Sequence, residues 1–136
     1  LIKEGLMASP KRILIVDDEQ DIRTYLSTLL GDQGYETFQA KDGEEAMQKL
    51  LAESPDIITL DISMPEKSGV KFFREMKMDD RWKNIPIIVV TGISEDFKKF
   101  ISSRHKIPAP EGFVSKPINQ EEILNLVRIL TQQGNS

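Results

Sequence analysis

Several residues with chemical capacity stand directly after short apolar runs. Asp17, Asp18 and Glu19 follow Ile13 to Val16, and Asp61 follows Ile57 to Leu60. Thr91 and Gly92 follow Ile87 to Val90, while Ser115, Lys116 and Pro117 follow Gly112 to Val114. If the runs lie side by side, Asp17, Asp18 and Asp61 converge, with a hydroxyl and an ammonium beside them. Like-charged carboxylates at close range are costly unless a cation shares them. Mg²⁺ suits such a set because it prefers oxygen ligands, keeps several waters and is held by one or two carboxylates plus phosphate oxygens. The cluster therefore leaves room for a phosphoryl group. Ca²⁺ would want more protein oxygens than these residues supply.

The elements that must position these residues are legible in the pattern. Five short, β-branched runs read as strands: Ile13 to Val16, Tyr35 to Gln39, Ile57 to Leu60, Ile87 to Val90 and Gly112 to Val114. Between them, apolar residues recur at helical spacing. The sets are Ile22, Tyr25, Leu26, Leu29 and Leu30; Ala46, Met47, Leu50 and Leu51; Phe72, Phe73 and Met76; Phe97, Phe100 and Ile101; and Ile123, Leu126, Val127 and Leu130. Asp42 with Glu45 and Asn119 with Glu122 have capping-box spacing, and Ser94 is a further cap candidate. Strand then helix, five times over, predicts a single (βα)5 α/β domain. Its parallel sheet has helices on both faces, three layers α/β/α, and ligands gather at the carboxyl ends of the strands. Its bounds are expected at 11–132, with residues 1–10 a flexible leader, in which Met7 is a candidate start, and 133–136 a flexible tail.

Composition narrows the function. The 136 residues are 39% hydrophobic and 29% charged, ordinary values for a globular chain. With 22 acidic against 18 basic residues, the net charge of −4 supplies no basic stripe for direct nucleic-acid binding. No cysteine is present, which excludes disulfides, thiolate zinc sites and thiol nucleophiles. No apolar run is long enough to cross a membrane, and the start lacks a signal-peptide region, so the expected location is the cytoplasm.

Four motifs in order, IVDDE at residues 15–19, LDISMP around Asp61, VVTG ending at Gly92 and KP at Lys116, resemble the receiver domains of bacterial response regulators. The resemblance runs from about Lys11 to Gln132. It implies the flavodoxin-like strand order 2-1-3-4-5, with Asp61 as nucleophile and phosphoacceptor. It further implies Asp18 and Asp61 as direct Mg²⁺ ligands, the Ser63 backbone carbonyl as a third, and Asp17 reaching the metal through water. Thr91 matches the hydroxyl that hydrogen-bonds the phosphoryl group, Lys116 the cation that pairs with it, and Phe113 the aromatic switch position. The implied donor is a histidine kinase or a histidine phosphotransfer domain, and the implied output is a shape change on the fourth helix, fifth strand and fifth helix. The downstream target or output domain is not specified. Such a module catalyses only its own phosphorylation and dephosphorylation and is not otherwise an enzyme. Pro117 after Lys116 suggests a cis peptide bond.

Simpler roles stand beside these. Asp17 and Asp18 suit helix capping, Asp61 before Met64-Pro65 suits a turn, and Thr91 and Phe113 suit strand and core. His105 and the Lys98-Lys99 pair read as surface residues, and Trp82 as packing over a loop. The stretch HKIPAPEGF makes the connection before the fifth strand a few residues longer than the family pattern, stiffened by Pro108 and Pro110. Two rivals share the topology or the nucleophile. A flavin-binding electron carrier needs a Gly- or hydroxyl-rich loop where this chain has DDEQD. An aspartyl phosphatase usually carries a second acid two residues after the nucleophile, where this chain has Ser63.

Overall fold

A computed structural model of the protein describes residues 9–92 and 108–133. Its strands are β1 (Arg12–Val16), β2 (Glu36–Ala40), β3 (Ile57–Asp61), β4 (Ile87–Thr91) and β5 (Gly112–Ser115). Its helices are α1 (Gln20–Asp32), α2 (Gly43–Glu53), α3 (Ser68–Lys77), which follows a short turn at Pro65–Lys67, and the C-terminal α4 (Gln120–Gln133). The sheet is wholly parallel in the order β2-β1-β3-β4-β5, as the motifs implied. The expected leader residues 1–8, the tail residues 134–136 and the whole predicted fourth helix lie outside the described residues. That helix includes Ser94, Phe97, Lys98, Lys99, Phe100, Ile101 and His105.

Both faces of the sheet are buried, which is why its central strands read as unbroken apolar runs. Leu14, Val16, Ile58, Leu60, Ile87 and Val89 point to one side, against Ala46 and Leu50 of α2 and Phe72, Phe73 and Met76 of α3. Ile13, Ile15, Ile57, Ile88, Val90 and Val114 point to the other, against Leu26 and Leu30 of α1 and Ile123 and Val127 of α4. Among the described residues, two expected on apolar faces are exposed instead: Tyr25, 40% accessible, and Leu51, 59% accessible. Each sits at the margin of its helical stripe, where 100° per residue carries it past the sheet.

Local chemistry sets the element ends. Asp42 accepts the Glu45 backbone N–H at 2.8 Å, and Glu45 Oε1 accepts from Lys41 N, so α2 starts as its capping signal predicts. Asn119 accepts from Glu122 N at 2.9 Å at the start of α4. The second strand is shifted one residue from the predicted Tyr35 to Gln39. Tyr35 is taken up in closing α1, its N–H donating to Leu30 O, after Gly34 turns the chain at φ +94°. The third, fourth and fifth strands each run one residue beyond the predicted apolar run, through Asp61, Thr91 and Ser115.

One buried charge was not legible. Lys77, on the last turn of α3, has a side chain only 1% exposed. Its ammonium donates to both Glu111 carboxylate oxygens, at 2.9 and 3.1 Å, and to the carbonyls of Lys83 and Ile85. Glu111 Oε1 also accepts from Ile87 N at 2.8 Å. The pair ties the α3–β4 connection to the starts of β4 and β5. Trp82 packs against the core from that connection, with the Arg81 guanidinium 4.0 Å over its ring.

Candidate functional site

Strand register places the site. Val16 pairs with Leu60, so Asp17 and Asp61 emerge side by side at the carboxyl ends of β1 and β3, where strand order reverses. Asp61 pairs with Val90, so Thr91 stands one position beyond it, and Thr91 pairs with Ser115, so Lys116 comes next. Lys116 N donates to Thr91 O at 2.8 Å, extending that ladder, and the Lys116–Pro117 bond is cis as suggested.

The predicted acids do converge. Carboxylate oxygens of Asp17, Asp18 and Asp61 all lie within 4.8 Å of one another. Asp17 and Asp61 are each 2% exposed, while Asp18 faces solvent. The capping alternative for the two N-terminal aspartates does not hold. Glu19 is the N-cap of α1, its carbonyl accepting from Ile22 N and Arg23 N, and Asp17 Oδ1 accepts from Glu19 N at 2.9 Å. Arg23 Nη1 in turn donates to Asp17 O at 2.7 Å, so the first turn of α1 fixes the loop that carries the acids.

Lys116 is drawn into the cluster. Its Nζ lies 3.0 Å from Asp17 Oδ2, 3.0 Å from Glu19 Oε1 and 3.4 Å from Asp61 Oδ2. Burial works to lower its pKa, but hydrogen bonds to Glu19 and Asp17 and the charges of Asp61 and Asp17 more than reverse this. The ammonium is held above the usual lysine range. Asp17 moves the other way from most paired acids. Burial chiefly, with the Asp61 charge adding, raises its pKa above the ordinary 3.8 against the bonds from Glu19 N and Lys116.

Asp61 has two unlike oxygens. Oδ1 accepts from Ser63 N at 2.8 Å and Ser63 Oγ at 2.6 Å, while Oδ2 faces Lys116. The helix beneath approaches closely here: a Cβ on Gly69 would lie 2.4 Å from the Asp61 carbonyl oxygen, so only glycine fits. Thr91 is buried at the end of β4, and Phe113 is half-buried beside Val89, packed on the α2–α3 side of the core. The residues that sequence reasoning passed over are Glu19 as a partner of Lys116, the Ser63 hydroxyl and Arg23. The Ser63 contact had a signal in its position two after an aspartate, a side-chain-to-backbone turn spacing.

A parallel sheet of this order with a carboxylate cluster and a lysine at its switch point defines a class, and the comparisons agree with it. The response regulator receiver domain model matches residues 13–128, and the chain belongs to that family. Sporulation initiation phosphotransferase F of Bacillus subtilis is 34% identical over 118 residues, covering 87% of this chain and 91% of that protein. The CAI-1 autoinducer sensor kinase/phosphatase CqsS of Vibrio cholerae is 36% identical over 118 residues, covering 86% of this chain but 17% of that protein. The chain likewise spans half of the Bacillus subtilis alkaline phosphatase synthesis regulator PhoP. Among solved structures, chemotaxis response regulator CheY4 of Vibrio cholerae superposes with a TM-score of 0.77 at 32% identity, covering 89% of this chain and 98% of that one. The chain is thus a phosphoacceptor receiver domain of two-component signalling, and nothing in this family match favours a flavin carrier or a small aspartyl phosphatase. Among the described residues, no helix is long and apolar enough to cross a membrane.

Proposed function

We propose that Asp61 accepts a phosphoryl group from the phosphohistidine of a histidine kinase or a histidine phosphotransfer domain. The observation that carries this reading is the convergence of three carboxylates and the Lys116 ammonium around the carboxyl end of β3. The donor set, hard oxygens with one exposed and two buried carboxylates, fits Mg²⁺. Asp18 and Asp61 with the Ser63 carbonyl would hold it, and Asp17 would reach it through water. When bound, the ion supplies positive charge against the phosphoryl oxygens.

Phosphoryl transfer asks the protein mainly for positioning and charge cancellation. Asp61 Oδ2 is the oxygen left free by Ser63, and it attacks phosphorus. The bond from phosphorus to the donor imidazole nitrogen breaks, and the imidazole departs with the electron pair. Lys116 pairs with one phosphoryl oxygen and the Thr91 hydroxyl donates to another. The product is an acyl phosphate, and water returns Asp61 to a carboxylate by hydrolysis. Drawing Thr91 toward the phosphoryl group frees Phe113 to change rotamer, which biases the surface of the predicted fourth helix, β5 and α4. The working compartment is the cytoplasm.

The test is incubation with acetyl phosphate, followed by intact mass. The wild type gains one phosphoryl group with Mg²⁺ present and loses that gain with a chelator, and Asp61→Asn gains none. Equal gain by Asp61→Asn would overturn the assignment.

A further inference from the structure

Glu19 belongs to the site for a reason that neither the strand ends nor helix capping requires. As N-cap of α1 it serves through its backbone alone, for its side chain makes no capping hydrogen bond. The carboxylate turns instead to Lys116, 3.0 Å from Nζ, with 61% of the side chain exposed. Asp21, two residues along and also exposed, carries the same charge at the start of the same helix.

The Lys116 ammonium has three N–H donors, and three carboxylates stand around it. A phosphoryl oxygen that pairs with Lys116 must take the place of one of them. Asp17 is a buried wall of the site and cannot turn away, and Asp61 Oδ2, at 3.4 Å the most distant of the three, is the oxygen that bonds to phosphorus and keeps its place beneath the phosphoryl group. Glu19 is the solvent-facing member of the three, on a side chain free to swing into water.

We infer that Glu19 is a positioning residue that holds Lys116 in the free protein and competes with the incoming phosphoryl group for it, so that each phosphorylation displaces the Glu19 carboxylate. The inference rests on Asp61 as phosphoacceptor and deepens that reading by naming what restrains the site at rest. It concerns a pairing only. The bonds made and broken are those of the transfer, with acetate leaving as the carboxylate when acetyl phosphate is the donor.

The experiment measures the rate constant of phosphorylation by acetyl phosphate at saturating Mg²⁺, by intact mass against time. The variants are Glu19→Gln, Asp21→Asn, Lys116→Gln and the Glu19→Gln/Lys116→Gln pair. Glu19→Gln is expected to react about threefold faster than wild type, the size of a partly exposed ion pair. Asp21→Asn keeps the wild-type rate, and in the Lys116→Gln background Glu19→Gln gains nothing. A wild-type rate in Glu19→Gln, an equal gain in Asp21→Asn, or a gain that persists without Lys116 overturns the inference. The first result denies the competition, and the other two reduce it to diffuse charge. Phosphoryl uptake by Asp61→Asn in the same assay strikes the phosphoacceptor assignment itself and is read separately.

Discussion

Asp17 shows how one residue records the purpose of the site. A carboxylate buried beside another carries an electrostatic penalty in the free protein, and that penalty raises its pKa above 3.8 in the folded state. Between 3.8 and the raised value the folded state binds the proton more tightly than the unfolded one. The stabilisation from that proton is present at low pH and lost as pH rises through this window. Asp17→Asn is therefore expected to be more stable than wild type at pH 7 in a chelator, with the difference closing below pH 3.8. Adding Mg²⁺ should raise the melting temperature of wild type more than that of Asp17→Asn, because the cation binds the folded state and its charge offsets the penalty. Denaturant titrations at several pH values check the first statement, and thermal melts with and without Mg²⁺ the second. The acids themselves were legible in the sequence because each directly follows an apolar run. The lysine contact to Glu19 was not, because it joins residues 97 positions apart in the chain and its geometry depends on where β1 and β5 finish.

At the level of elements, patterning was a good guide where burial decides and a poor one where a polar group is buried. The five strands and the described helices stand where apolar periodicity puts them, and Asp42 and Asn119 open their helices as their spacing indicates. Tyr35 fell outside its strand because turn closure after Gly34 claimed its N–H, a competition that propensity does not register. Lys77 was invisible because a lysine in a helix is read as solvated, and only the fold brings Glu111 to it. That pair yields a sharp expectation. Glu111→Ala leaves the buried Lys77 ammonium facing carbonyls alone and is expected to cost about 3 kcal/mol, the lower end of the range for a broken buried pair because Glu111 is one-third exposed. Adding Lys77→Met to Glu111→Ala should recover most of that loss, since the uncompensated charge is gone. Urea unfolding of the single and double variants measures both.

For the molecule as a whole, the sheet brings separate strand ends to one point and the helices hold them there. The order β2-β1-β3-β4-β5 puts β1 beside β3, and register then sets Asp17 next to Asp61. Gly69 lets α3 press against the Asp61 peptide, and Arg23 ties α1 to the Asp17 carbonyl, so both layers brace the site. The function assigned to the chain depends on which atom takes the phosphoryl group. The most direct measurement is to phosphorylate the protein with acetyl phosphate and Mg²⁺, reduce it with borohydride, which converts an aspartyl phosphate to homoserine, and sequence the peptides by mass spectrometry. Homoserine at position 61 is the predicted result. Homoserine at another aspartate, or an unreduced phosphoester on Ser63 or Thr91, would contradict it.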